Sequence, residues 1–219
     1  MTVSRLPPPY QPLGYERDES PLIVLEGVSG VGKSTLRAAL VERLGATGIH
    51  TLHAPHADWS GTVNARLRPL PQFAFYLSGL LHVSDSIRQA RVTRPVVADR
   101  YVSSVVACHS AVHRVPVATV AGLLEPYRPY LSEPTRTFYL RCSEGALRDR
   151  LAGKSDLSED DVDLLTVKGR LSRLLANFAS VAKQDQTAVV LETDDTAAED
   201  LADLIVSLLE KDRAESDRH

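Results

Sequence analysis

The chain has 219 residues, 43% of them hydrophobic and 24% charged, and its 25 Lys and Arg against 28 Asp and Glu leave a formal net charge of -3. That length suits one α/β domain able to bury roughly 70% of its unfolded surface. The charge balance supplies no field that would gather nucleic acid or anionic lipid, so neither is an expected partner. Cys108 and Cys142 lack metal-ligand spacing, and no apolar run of twenty residues occurs, so the expectation is a cytoplasmic protein without a membrane anchor.

In chain order, residues 1–20 carry Pro7, Pro8, Pro9 and Pro12 ahead of a charged run and read as a tail, as does the polar stretch 212–219, leaving a domain over 21–211. Leu22, Ile23, Val24 and Leu25 form a short apolar strand of the kind buried on both faces of a parallel sheet. From Lys33, Leu36, Leu40, Val41 and Leu44 recur at helical spacing. Residues 49–53 suit a second strand, and residues 71–91 a helix that ends before Arg94-Pro95. Strands are predicted at 96–98, 137–141 and 189–191, and helices after Tyr101 and over about 144–153, 159–183 and 197–210. Tyr127 and Tyr130 with Pro126, Pro129 and Pro134 read as a rigid surface loop before the fourth strand. The alternation predicts a three-layer α/β fold, with a five-stranded parallel sheet, helices on both faces and ligands beyond the carboxyl ends of the strands.

The segment Gly27-Val28-Ser29-Gly30-Val31-Gly32-Lys33-Ser34 fits the phosphate-loop pattern G-x-x-x-x-G-K-[ST] and lies between a predicted strand and a predicted helix. Its glycines let backbone N–H groups turn inward on a phosphate, and the helix start adds positive potential. Lys33 is then placed for the β- and γ-phosphates and Ser34 for Mg²⁺, with Thr35 the next residue of the cradle. ATP with Mg²⁺ is the expected cosubstrate pair. No guanine-reading Asn-Lys-x-Asp occurs, which argues against a switch GTPase, and the acidic cluster near Asp194 and Asp195 suits a loop beside the nucleotide base.

Leu25-Glu26-Gly27 running into the phosphate loop, Val97-Ala98-Asp99-Arg100-Tyr101-Val102-Ser103-Ser104, and Glu144-Gly145-Ala146-Leu147 followed by Arg148 and Arg150 together resemble the thymidylate kinase family of nucleoside monophosphate kinases. The resemblance implies a P-loop kinase fold. It implies that Arg100 holds the acceptor's phosphate, that Asp99 works near Mg²⁺ and the acceptor, and that basic residues in a short lid, over about 148–163, steady the transferring phosphoryl group. Arg148, Arg150 and Lys154 are the lid candidates. Tyr101 falls beside Arg100 in the same motif, and Phe75 is a candidate to stack on a base.

Several positions depart from the family. Ser29 stands where an acidic residue is usual, His53-Ala54-Pro55 replaces Arg-Glu-Pro, Gly79 replaces the arginine that meets the thymine, and Val105 and Cys108 fill base- and sugar-reading positions. His53, His56 and Asp58 are the polar groups left at that end. The expected acceptor is therefore a nucleoside monophosphate or nucleotide-like molecule, with thymidylate not the preferred one. A nucleoside or small alcohol, and a catalytically silent ATP-binding subunit, are the alternatives. His109 and His113 have the spacing of a metal pair but no third ligand, so an exposed or dimer-facing helix is the expectation. The apolar surplus on the helices after Pro71 and Tyr101, including Phe73, Leu77, Leu80, Leu81, Val102, Val105, Val106 and Val112, predicts a homodimer.

Overall fold

The structure is a computed structural model that describes residues 7, 10–14, 20–153, 159–216 and 218. Its five strands are β1 (Leu22–Glu26), β2 (Thr47–His50), β3 (Val96–Asp99), β4 (Arg136–Arg141) and β5 (Ala188–Glu192). All pairings are parallel, in the order β2-β3-β1-β4-β5, with Leu25 beside Asp99 and Glu26 beside Tyr139. The helices are α1 (Lys33–Leu44), α2 (His56–Arg66), α3 (Pro69–Arg91), α4 (Val102–His113), α5 (Val117–Leu124), α6 (Glu144–Ala152), α7 (Glu159–Thr166), α8 (Arg170–Ala182) and α9 (Ala198–Ser216).

Successive residues of β1 serve opposite layers, as a period of two requires. Ile23 and Leu25 join Leu36 and Leu40 of α1 and Leu201 and Ile205 of α9. Leu22 and Val24 join Leu80 and Ile87 of α3 and Val106 of α4. With all five of its residues buried, β1 is the central strand, and its carboxyl end delivers the phosphate loop to the middle of the sheet edge. Among the described residues no helix is long and apolar enough to cross a membrane.

Several sequence expectations are corrected. The second strand begins two residues early and ends at His50, because its pairing with β3 sets Thr47 against Val96 and His50 against Asp99. The surface loop expected before the fourth strand contains a 3-10 turn spanning Glu125–Tyr130, and α5, which was not expected, precedes it and buries Val120 and Leu124, one turn apart. The long helix of 159–183 is broken between α7 and α8, where Gly169 takes φ 70. The carboxyl-terminal helix runs past 211 to Ser216, and Asp212 forms a two-bond ion pair with Arg136.

Of the residues behind the dimer expectation, Phe73, Leu77, Leu80, Val105 and Val106 are buried within the chain, Leu81 and Val102 are partly buried and Val112 is exposed. His109 is likewise buried, packed on Phe73 and His113, and burial pushes its pKa down to about 4. His113 is hydrogen-bonded to Gln72. No group of three potential metal ligands occurs among the described residues.

Candidate active site

The phosphate loop has the backbone its glycines allow. Gly27, Gly30 and Gly32 have φ of 142, 84 and 101, all in the region that disfavours side chains. A Cβ on Gly27 would lie 2.7 Å from the Leu140 carbonyl oxygen, so the start of the loop lies directly against β4. Gly32 caps α1 in the left-handed conformation, and Val28 and Val31 are buried while Ser29 and Gly30 are partly open. Lys33 folds back into this curl. Its Nζ donates to the carbonyls of Gly27 at 3.0 Å and Val28 at 2.7 Å, and burial, with Arg100 adding to the effect, pushes its pKa down to about 7.

The end of β3 meets the loop from the neighbouring strand. Asp99 is buried, its Oδ2 accepting from Ser34 Oγ at 2.9 Å while Oδ1 has no partner. Arg100 turns the chain with φ 70, a left-handed value that is uncommon outside glycine. Its backbone is held by the Leu25 carbonyl at 2.9 Å and by the Thr51 hydroxyl, which donates to the Arg100 carbonyl. Its Nη1 donates to the Gly27 carbonyl at 3.3 Å and to Ser104 Oγ at 3.4 Å. Lys33 and Arg100 thus share one acceptor, which puts two basic groups on one residue of the loop. Beneath them the fully buried Glu26 accepts from the N–H groups of Tyr101 and Ser104.

On the β2 side, His53, His56 and His82 form a cluster, with ring centroids 4.6 Å apart for His53 and His82 and 5.8 Å for His56 and His82. Phe75 lies 5.3 Å from His56. His56 Nε2 pairs with Ser78 Oγ at 3.1 Å, its Nδ1 is buried without a partner, and burial together with His82 and His53 lowers its pKa. The imidazole stands over Gly79, where a Cβ would meet Leu52 at 3.4 Å and His56 at 3.5 Å. Asp58 is exposed in the first turn of α2, and His53 reaches Ser86 Oγ at 3.5 Å. Tyr101, expected near the acceptor, is 1% exposed and donates to Ser84 Oγ, so its ring serves the core.

The two lid arginines part ways. Arg148 lies on the exposed face of α6 in an ion pair with Glu144 at 2.7 Å. Arg150 turns toward the loop after β5, donating to Thr193 Oγ1 at 3.0 Å and to the Thr193 carbonyl. Together with Gly32, Thr35, Thr193 and Thr196 it lines a cavity of about 170 Å³ at the far end of the phosphate loop. Asp194 accepts from the Ser143 N–H at 2.9 Å and so ties this loop to the start of α6. Lys154 lies outside the described residues, as does the lid from 154 to 158. Thr193 and Thr196 escaped the sequence reading, since a threonine after a strand carries no motif; the acidic pair next to Thr193 was the signal to follow.

A central parallel strand feeding a glycine-rich loop and helix, with an Asp-Arg pair at the adjacent strand end, defines a P-loop phosphotransferase of the nucleoside monophosphate kinase type. Residues 25–205 match the family model described as thymidylate kinase, and the chain belongs to that family. It is 33% identical over 187 residues, 77% of this chain and 93% of the relative, to a protein of Natronomonas pharaonis described as a probable thymidylate kinase. Its fold is similar to that of thymidylate kinase from Candida albicans, with a TM-score of 0.75 at 15% identity over 89% of this chain and 93% of that one. Deoxyadenosine kinase from M. mycoides is also similar in fold, with a TM-score of 0.64 at 21% identity over 87% of this chain and 99% of that one.

Proposed function

We propose that the protein transfers the γ-phosphoryl group of ATP to a nucleoside monophosphate or similar phosphorylated acceptor, and that thymidylate is not its preferred acceptor. What supports this most directly is the convergence of Lys33 and Arg100 on the Gly27 carbonyl. Phosphoryl transfer requires two mutually repelling anions to be held side by side and the charge between them neutralised, which two cations on one loop residue can do. In this reading residues 27–35 cradle the ATP phosphates, and Lys33 exchanges its two carbonyl partners for phosphate oxygens. Arg100, whose Nε and Nη2 make no bond among the described residues, offers that edge of its fork to the acceptor's phosphate.

Ser34 Oγ and the unpartnered Asp99 Oδ1 suit Mg²⁺, a hard cation bound through few protein oxygens. When bound, the ion neutralises charge on the phosphate oxygens. Phe75 and the cluster of His53 and His56 form the base-side wall, with Asp58 at its rim, and Arg150 closes the ATP-base end beside Thr193. The histidine over Gly79 supports the choice against thymidylate, because it leaves that wall without a guanidinium donor.

The test is a comparison of kcat/KM across nucleoside monophosphates and nucleosides with MgATP. Turnover of a monophosphate, with every nucleoside at least about a hundredfold poorer, is expected. Exclusive turnover of unphosphorylated nucleosides, or no turnover of any acceptor, would reject the reading.

A further inference from the structure

We infer that Glu26 is a positioning residue that sets the guanidinium of Arg100 for the acceptor's phosphate, an inference that rests on the reading of Arg100 given above. The start of α4 leaves backbone donors that its own N-cap residue does not satisfy, since Tyr101 contributes no side-chain cap bond. The cap comes instead from the neighbouring strand. Leu25 is in register with Asp99, so the next residue of β1 reaches under the turn at Arg100 and Tyr101. Glu26 Oε1 accepts from Tyr101 N–H at 2.8 Å and Ser104 N–H at 3.1 Å, and Oε2 accepts from Ser104 Oγ.

Ser104 Oγ is also one of the two acceptors of Arg100 Nη1, and the other is the carbonyl of Gly27, the residue after Glu26. Both contacts that locate the arginine head therefore run through the Glu26-Gly27 pair. A Ser or Asp at position 101 would have capped the helix from the surface. A fully buried carboxylate with three donors does more, because it joins the helix start, the Ser104 hydroxyl and the arginine in one network. Burial raises the Glu26 pKa, opposed in part by the Ser104 hydroxyl and Arg100. The turn it holds places a non-glycine residue at φ 70, a conformation that surrounding bonds must fix.

The full-length chain is assayed with MgATP and its best monophosphate acceptor in the variants Glu26→Gln, Ser104→Ala and Arg100→Ala, and ATP binding is followed separately with a fluorescent ATP analogue. In Glu26→Gln the amide nitrogen replaces one acceptor oxygen, so the acceptor KM is expected to rise by about tenfold or more while the analogue's Kd stays within about twofold. Ser104→Ala, which removes the link and leaves the carboxylate, is expected to raise the acceptor KM by about threefold to fivefold with the same indifference to ATP. A role confined to folding would lower thermal stability, or shift both substrates together, without this split. An unchanged acceptor KM in Glu26→Gln, when Arg100→Ala raises it, overturns the inference and leaves the reading of Arg100 standing. If Glu26→Gln does not fold, Ser104→Ala decides on the same criterion. An acceptor KM unchanged in Arg100→Ala overturns the reading of Arg100 and the inference with it.

Discussion

Ser34 and Asp99, brought together from α1 and the end of β3, share a hydrogen bond of 2.9 Å whose acceptor carboxylate keeps its other oxygen buried and unpartnered. An unsatisfied carboxylate oxygen in a buried position is costly, and a site of that kind is retained where a ligand completes it. Replacing Asp99 by Asn keeps the volume and removes the charge. Asp99→Asn is expected to lower kcat by about a hundredfold or more and to raise the Mg²⁺ concentration for half-maximal rate, with little change in melting temperature. Ser34→Ala is expected to shift the Mg²⁺ requirement in the same direction by about tenfold. A Mg²⁺ titration of the three proteins checks this, and superimposable curves would place the ion elsewhere.

Lys33 leads to a proton-linked prediction. Its pKa in the unliganded chain is pushed down to about 7, chiefly by burial, so near pH 8 the amine is largely neutral. Anionic phosphates replacing its carbonyl partners favour the ammonium form, so ATP binding near pH 8 is expected to take up a proton. Calorimetry in two buffers of different ionisation enthalpy measures the uptake, and Lys33→Met is expected to abolish both the uptake and turnover while the fold persists.

The same shift sets a stability slope. The unfolded lysine, with a pKa of ~10.4, holds more protons than the folded one between about pH 7 and that value, so this group makes the unliganded fold more stable as pH rises through the window. Denaturant melts of wild type and Lys33→Met between pH 7 and 9.5 are expected to differ in slope, the wild type gaining stability relative to the variant as pH rises. Parallel profiles would refute the linkage.

How much of this could be read in the residues varies with the kind of signal. The phosphate loop and the Asp99-Arg100 pair were legible because a strand, a glycine pattern and a helix constrain one another over adjacent residues. Glu26 stood at a strand end where chemistry was expected, but its partners are 75 and 78 residues away, and such pairing depends on strand order. α5 was hidden by Val117, Thr119 and Val120, which favour strands, and by flanking prolines; the burial of Val120 and Leu124 in one cluster with Val105 and Val106 of α4 is a tertiary contact that local propensity does not carry. Tyr101 was misplaced because the motif gives its neighbour's role and not the direction of its own ring, which the backbone turn at Arg100 sends into the core.

His56 and Gly79 make the acceptor preference testable in one direction. A side chain longer than Cβ at position 79 must displace the imidazole or Leu52, so Gly79→Arg alone is expected to cost about 1–3 kcal/mol of stability through overpacking and to leave thymidylate a poor acceptor. Combining it with His56→Ala opens the space, and the double variant is expected to raise kcat/KM for thymidylate by about tenfold over either single change. Steady-state kinetics of the four proteins decide it. A gain from Gly79→Arg alone would show that the histidine does not occupy the contested place.

Arg148 and Arg150, two residues apart on α6, are predicted to behave differently because they face different surroundings. The Arg148 pair with Glu144 is half exposed on both sides, and such pairs contribute ~0–1 kcal/mol, so Arg148→Ala is expected to leave stability and both KM values close to wild type. Arg150 is bonded to the side chain and carbonyl of Thr193 and lines the cavity beside Gly32 and Thr35, so its removal loosens the wall against which the ATP base is proposed to sit. Arg150→Ala is expected to raise the KM for ATP by about tenfold and leave that for the acceptor within about twofold, with Thr193→Val shifting the ATP value in the same direction by less. Initial rates with each substrate varied in turn measure this. A fall in kcat at unchanged KM for ATP would instead assign Arg150 to the transferring phosphoryl group and move it from the base wall into the lid chemistry.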